Sequence, residues 1–156
     1  MSDIQTFHGL IRQITDFIGA RPLDEALQDS LNQQFPYGGE ACNRIVETCK
    51  LGIQQGWMCQ HEGGGVRYGR VIKPEPALHG YSVDVVDMQD IAGPHHRHPN
   101  GEIDFIMPVS ESARFDGRPG GWLVYGPDSA HSPTVTQGRA LVLYLLPQGK
   151  IEFTRH

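Results

Sequence analysis

The sequence predicts a mainly β fold, a sandwich or barrel of short antiparallel strands that is preceded by a helical segment. Up to residue 56, apolar residues recur at i, i+3, i+4 and i+7, which is the spacing of amphipathic helices. From Trp57 onward, short runs rich in β-forming residues alternate with turns that contain Gly and Pro. The 19 glycines and 11 prolines among the 156 residues indicate many such turns.

Three helices are expected in the first segment. The first ends at Gly19, after a stripe with helical spacing that consists of Phe7, Leu10, Ile11, Ile14, Phe17 and Ile18. The second opens at residues 22–24 and ends at Pro36, and the third lies between Gly39 and Gly56. The stripes require burial against the rest of the chain or against a second copy of it. Together with the strand edges, the first stripe leads us to expect a homodimer.

Six strands are the main prediction for the remainder of the chain. We expect them at residues 66–72, 81–91, 103–109, 121–125, 140–146 and 151–154, with turns at 61–65, 116–120 and 147–149. Short strands at this spacing favour an antiparallel arrangement. The change near residue 56 marks a new layer. We therefore expect residues 1–156 to form a single domain, with 1–56 as the helical segment and 57–156 as the β part.

Composition argues against several classes of protein. The 13 basic and 18 acidic residues give a net charge of −5, which disfavours nucleic-acid binding because that requires a basic surface. No apolar run approaches the ~18 residues of a membrane span, and the N-terminus has no signal-peptide pattern. Three cysteines, Cys42, Cys49 and Cys59, form no Cys-x-x-Cys pair. We expect a cytoplasmic protein with no membrane or nucleic-acid partner.

A group of histidines precedes a Pro-Asn-Gly turn. Alternate residues of a strand share a face, so His96 and His98 point the same way and His95 points away from them. The turn delivers Glu102 to the next strand, and His131 follows another strand and turn. Three imidazoles and a carboxylate suit a divalent metal and leave positions open for substrate or water. Zn, Mn, Fe, Co and Ni all accept this set. The alternative is a solvated loop without a ligand.

The spacing His96-x-His98-x3-Glu102 resembles the first motif of the cupin superfamily, and His131 resembles the histidine of the second. Val109 stands where the family has a glycine, and the proline and glycine of the second motif are replaced. The resemblance implies a cupin-type double-stranded β-barrel, preceded here by the N-terminal α-helical segment, with a metal at its mouth.

A closer resemblance covers nearly the whole chain. Its segments are EIDFIMP (102–108), ARFDG (113–117), GWLVY (121–125), SAHSPTV (129–135) and RALVLYLLP (139–147), and the helical N-terminal third agrees. They resemble the 4-hydroxylaminobenzoate lyase family. The resemblance implies conversion of 4-hydroxylaminobenzoate, a small aromatic acid, to 3,4-dihydroxybenzoate during nitroaromatic degradation. One water enters and one ammonia leaves, so the reaction is redox neutral.

Two candidate catalytic residues lie near the histidines. Asp104 shares the face of Glu102, so it can act as an acid or base, or hydrogen-bond to a ligand histidine. Tyr125 ends a strand near His131. Its phenol can donate to a leaving group, with packing as the alternative.

The substrate carboxylate requires a cation, and the aromatic ring a flat partner. We take Arg114 and Trp122 as the candidates. The other arginines that stay open for the carboxylate are Arg67, Arg70, Arg97 and Arg118, and core packing is the alternative for Trp122.

Two other functions stay open. Three histidines and a glutamate also serve cupin enzymes such as an Fe(II)-dependent aromatic dioxygenase. A non-enzymatic, small-molecule-binding cupin is the third possibility, although a pure binder needs no open metal site.

Overall fold

The structure, a computed structural model, describes residues 3–154 of the chain. The helices are α1 (Ile4–Ile18), α2 (Glu25–Gln34) and α3 (Glu40–Gln55), and a short 3-10 helix spans Pro76–Leu78. The strands are β1 (His61–Gly63), β2 (Val66–Ile72), β3 (Tyr81–Ala92), β4 (His96–His98), β5 (Glu102–Pro108), β6 (Arg114–Phe115), β7 (Gly121–Tyr125), β8 (Ser129–His131), β9 (Thr134–Pro147) and β10 (Glu152–Phe153). None of these helices has the length and apolar character needed to span a bilayer.

The predicted fold class is confirmed, because the chain is mainly β with antiparallel sheets and has a helical segment at its N-terminus. The turn predicted at residues 61–65 is shorter in the structure. Gly64 and Gly65, with φ of 59° and 84°, make the hairpin turn alone and leave three residues to pair as β1. The last long strand begins at Thr134 instead of residue 140. Strands β6 and β8 were missed because two or three residues show no usable alternation.

Polar caps set the helix limits. The side chain of Asp3 accepts a hydrogen bond from the Thr6 amide at the start of α1, and Asp24 does the same for Leu27 at the start of α2. Helix α3 ends at Gly56, which adopts the left-handed conformation that glycine allows.

The strands form two antiparallel sheets. The larger has the order β1-β2-β3-β9-β5-β7, with β6 also paired to β9, and the smaller has the order β10-β4-β8. Strand β5 shows how the large sheet divides its side chains. Ile103 and Phe105 point into the core that the sheet shares with the helices, whereas Glu102 and Asp104 point to the opposite face.

The helices cover the first face of the large sheet. The stripe of α1 packs in the apolar cluster that the helices share with the strands, where Phe7, Ile11 and Ile14 are fully inaccessible to solvent and Phe17 is partly buried. This burial removes the stripe as a reason for a homodimer, so that expectation now depends on the strand edges alone. The helices and the sheet share one apolar cluster, as a single domain requires, and the single domain stays a prediction.

The small sheet covers the second face. The ring centroid of His96 on β4 lies 6.4 Å from that of Tyr144 on β9, and the ring of His131 on β8 lies 6.2 Å from Phe115. The imidazoles of the small sheet and the carboxylates of β5 therefore meet between the two sheets.

Candidate metal centre

Strand pairing brings together the four residues that were predicted as metal ligands. His96 and His98 lie on β4, and His96 is directly opposite His131 of β8. Glu102 begins β5 after the turn at residues 99–101. One potential ligand atom from each of the four residues lies within 4.8 Å of the others.

The ligand atoms surround the Glu102 carboxylate. Its Oε1 lies 3.6 Å from Nε2 of His96, and its Oε2 lies 3.3 Å from Nε2 of His98 and 3.7 Å from Nε2 of His131. Within residues 3–154, these five atoms are buried and have no hydrogen-bond partner. Buried polar atoms without partners are costly. Their convergence fits a divalent cation, which satisfies all of them at once.

The second ring nitrogens of the β4 histidines select the tautomer. Nδ1 of His96 donates to the Pro94 carbonyl oxygen at 3.3 Å. The Ser129 hydroxyl donates to the Gly126 carbonyl at 2.6 Å, so its oxygen accepts from Nδ1 of His98 at 2.9 Å. With the proton on Nδ1, each ring presents the Nε2 lone pair to the cluster, as a metal ligand must.

His131 is held by Asp116, a residue to which the sequence alone assigned no role. Asp116 Oδ2 accepts from His131 Nδ1 and from the Tyr125 hydroxyl, both at 2.6 Å, and its Oδ1 accepts from the Thr134 amide at 2.9 Å. The sequence marks Asp116 only as part of an Asp-Gly turn, where it adopts a φ of 50°. Nothing in that turn connects it with a histidine 15 residues later.

The charged groups of the site shift one another's pKa. Burial lowers the pKa of His131, but Asp116 and Glu102 outweigh burial and raise it to about 9. Burial raises the pKa of Glu102, yet its contacts with the three histidines hold it well below its ordinary value. Without a cation, the imidazole of His131 is therefore protonated at neutral pH, and a metal must displace that proton.

Asp104 lies on the same face as Glu102, as predicted. Its side chain is fully buried, and neither carboxyl oxygen has a hydrogen-bond partner within residues 3–154. Burial and the negative charge of Glu102 raise its pKa well above the ordinary value. Of the two neighbouring carboxyl groups, Asp104 is therefore the one that favours its protonated form.

A cavity of about 860 Å³ opens beside His96. Its walls include the apolar side chains of Val86 and Met88, the ring of Tyr144, and Phe153 at the rim. This volume accommodates a small aromatic molecule.

The two residues predicted to bind substrate lie elsewhere. Trp122 alternates with Tyr125 along β7 and points to the helices, where its ring packs 4.5 Å from Phe105 and its Nε1 donates to the Phe35 carbonyl at 3.0 Å. Arg114 donates to the carbonyl of Ala113 at 2.9 Å and does not line the cavity.

Of the other arginines left open by the sequence, Arg70 lines the cavity. Arg67 and Arg97 are paired outside it, with Asp87 at 3.6 Å and Glu152 at 2.7 Å.

Several solved structures resemble this fold over part of its length. An RmlC-like cupin protein from Ralstonia eutropha JMP134 is 15% identical, with a TM-score of 0.41 over 55% of this chain and 57% of that one. An RmlC-like cupin from Shewanella frigidimarina NCIMB 400 is also 15% identical, with a TM-score of 0.42 over 58% of this chain and 83% of that one.

Sequence comparison gives more extensive matches. A protein from Nocardioides sp. (strain LMS-CY), named 4-hydroxylaminobenzoate lyase, is 33% identical over 142 residues, which cover 85% of this chain and 84% of that protein. One of the same name from Pseudomonas putida is 28% identical over 79% of this chain and 80% of its own. The family model described as PnbB, 4-hydroxylaminobenzoate lyase, matches residues 9–153. The chain therefore belongs to the 4-hydroxylaminobenzoate lyase family and is an enzyme of the lyase type.

Proposed function

We propose that this enzyme converts 4-hydroxylaminobenzoate, or a related hydroxylaminoarene acid, to 3,4-dihydroxybenzoate with release of ammonia, and that it needs a divalent metal to do so. The observation that supports metal dependence best is the convergence of unpaired, buried ligand atoms beside a cavity of suitable size. The names of its relatives from Nocardioides and Pseudomonas support the substrate.

In this proposal His96, His98, Glu102 and His131 hold the metal, which can be Zn, Mn, Fe, Co or Ni. When bound, the metal supplies Lewis acidity that can polarise the hydroxylamino group or a water molecule. The fixed Nδ1 contacts of the histidines keep their Nε2 atoms aimed at one point, and the buried carboxylate of Glu102 compensates cationic charge.

The remaining polar groups receive separate roles. Tyr125 donates its only hydroxyl proton to Asp116, so we assign it to positioning His131 instead of protonating a leaving group. The buried Asp104, whose pKa is raised beside Glu102, contributes to the electrostatic environment of that carboxylate.

Tyr144 is the better candidate for a hydrogen-bond donor to the substrate. It lines the cavity, and its ring lies 6.4 Å from that of His96. Burial and the nearby carboxylates raise the pKa of Tyr144 well above its ordinary value, so the phenol keeps its proton and acts as a hydrogen-bond donor at neutral pH.

The reaction to be tested is balanced. One water is consumed for each 4-hydroxylaminobenzoate, the N–O bond breaks, and 3,4-dihydroxybenzoate and ammonia leave without an external oxidant or reductant. Equal amounts of the two products should form in the absence of oxygen. Oxygen consumption with a catechol substrate and Fe(II), without ammonium, would instead indicate a dioxygenase.

Metal dependence is tested by removal and by mutation. Chelation should abolish activity, and restoring the native metal, identified by elemental analysis, should recover it. His96→Ala should lose both metal and activity, because it removes a ligand. His95→Ala is the matched control: its ring contacts Thr154 instead of the cluster, so it should retain both. Full activity in metal-free wild-type protein would contradict the proposal.

Two broader expectations remain proposals. Three free cysteines, all buried, are consistent with the reducing cytoplasm. A homodimer would use the strand edges, near the exposed side chains of Tyr68 and Phe153. A sedimentation mass of twice 17.3 kDa would support it, and a mass of 17.3 kDa would exclude it.

A further inference from the structure

The cavity beside His96 is mostly apolar but contains one guanidinium group. Among the described residues that line it, Arg70 is the only arginine or lysine. We propose that Arg70, held in place by Asp84, binds the carboxylate of the aromatic substrate and thereby makes the enzyme prefer acids over neutral arylhydroxylamines. This inference rests on the proposed function.

The pairing of strands places Arg70 at a suitable separation from the metal centre. Arg70 of β2 lies opposite Asp84 of β3, Asp84 lies opposite Tyr144 of β9, and Tyr144 lies opposite Asp104 of β5. Since neighbouring strands are about 4.8 Å apart, the backbones of Arg70 and Asp104 are roughly 14 Å apart. Glu102 is two residues from Asp104 on the same face. The extended side chain of Arg70 covers part of this separation. A benzene ring with two para substituents can bridge the distance that is left between the guanidinium and the metal centre.

The hydrogen bonds of Arg70 leave one nitrogen of its guanidinium, Nη1, available. Nε donates to Asp84 Oδ1 at 2.7 Å, and Nη2 donates to Asp84 Oδ2 and to the Gly149 carbonyl, both at 3.3 Å. Within residues 3–154, Nη1 donates to no other group. Both N–H groups of Nη1 are therefore available to a carboxylate, the charged acceptor that arginine binds strongly.

The surroundings keep this guanidinium in one position. Asp84 has only 18% of its side chain exposed, and Arg70 has 35%. A Cβ added to Gly149 would lie 2.8 Å from Nη1, so only glycine at this turn leaves the guanidinium its place.

The rest of the cavity suits an aromatic ring. Val86 and Met88 provide an apolar wall, and the ring of Phe153 lies 5.8 Å from that of His96. A benzoate with its carboxylate at Arg70 would therefore pass between apolar groups and present its para substituent to His96.

The first test measures specificity. Wild type and Arg70→Gln would be compared with 4-hydroxylaminobenzoate and with N-phenylhydroxylamine, which lacks the carboxylate. We expect kcat/KM for the acid to fall about 10- to 100-fold in Arg70→Gln, mainly through KM, and that for the neutral compound to change less than about threefold. Arg67→Gln is the matched control, because Arg67 is on the same strand but pairs with Asp87 outside the cavity. The ratio of kcat/KM for the acid to kcat/KM for the neutral compound should be the same in Arg67→Gln as in wild type.

The second test is independent of turnover. Calorimetric titration would measure binding of 4-aminobenzoate and of aniline, neither of which has an N–O bond to break. Loss of 4-aminobenzoate affinity in Arg70→Gln would support the inference even if wild type proved inactive as a lyase. An active lyase whose preference for acids survives in Arg70→Gln would overturn the inference and leave the proposed function intact. Failure of wild type to bind 4-aminobenzoate would also overturn it.

A folding control separates recognition from stability. Arg70→Gln leaves the Asp84 carboxylate without its partner, which can destabilise the protein. The double variant Arg70→Gln/Asp84→Asn removes both charges and should melt close to wild type while still losing the preference for acids. A double variant that is folded and keeps this preference would refute the role of Arg70.

Discussion

Each ligand histidine has a second contact that decides which of its nitrogens faces the cluster. A carbonyl oxygen holds His96, a hydroxyl group holds His98, and a carboxylate holds His131. The three acceptors differ in strength, and only that of His131 is charged. This carboxylate raises the pKa of His131, so a metal must displace a proton from that imidazole.

We predict that metal affinity rises with pH because of His131. Its pKa is raised to about 9 in the metal-free protein, so binding must release a proton below that pH. The apparent affinity should increase about tenfold per pH unit from pH 7 and level off near pH 9, as titration calorimetry in several buffers can measure.

Asp116→Asn provides the control for this pH dependence. It removes the carboxylate that contributes most to raising the pKa, so the plateau should begin at a lower pH. An affinity that does not change between pH 7 and 9 in wild type would contradict the assignment.

The same proton affects the stability of the metal-free protein in the opposite direction. Because the folded-state pKa of His131 lies above its ordinary value, protonation of His131 stabilises the folded protein. This contribution to the free energy of unfolding is complete below about pH 6.5 and is lost as pH rises through about 9.

At the scale of elements, α2 protects the edge of the large sheet. The side chain of Asn32 accepts from the Trp122 amide at 2.9 Å and donates to the Trp122 carbonyl at 3.0 Å, and Gln28 accepts from the Val124 amide at 2.9 Å. These contacts satisfy backbone groups of β7 that would otherwise be free to pair with another chain. They also fix the strand that delivers Tyr125 to the site.

Replacing Asn32 by alanine should therefore lower the free energy of unfolding by about 1–3 kcal/mol, because two partly buried backbone groups lose their partners. Chemical denaturation of the metal-free protein measures this change. Gln33→Ala, an exposed position on the same helix, should have little effect. Equal stability of the two variants would show that α2 does not support β7 in this way.

For the molecule as a whole, the helices, the large sheet and the small sheet form three successive layers. One apolar cluster contains side chains from α1, α2, α3 and the large sheet, including Ile14, Leu31, Ile45 and Leu143. The helical segment cannot separate from the β part without exposing this cluster.

We accordingly predict that the metal-free protein unfolds in a single transition. The calorimetric and van't Hoff enthalpies should agree, and the far-ultraviolet circular dichroism of the helices should change together with the near-ultraviolet signal of the aromatic side chains. A separate, earlier melting of the helices would instead indicate that residues 1–56 form an independent unit.

Local sequence patterns determined much of this protein. Periodicity was sufficient to place the helices and the apolar parts of the long strands, although it missed the first six residues of β9. Strand alternation and one short turn were also sufficient to group His96, His98 and Glu102, since these residues are close along the chain.

Only the tertiary structure decided which distant residues complete the site. Asp116 reaches His131, and Arg70 reaches the cavity, through the pairing of strands that are far apart in the sequence. Trp122 does not reach the cavity for the same reason, because its place in β7 turns its side chain toward the helices. Spacing along the chain contains no information about such contacts, since sheet register and the packing of layers decide which side chains meet.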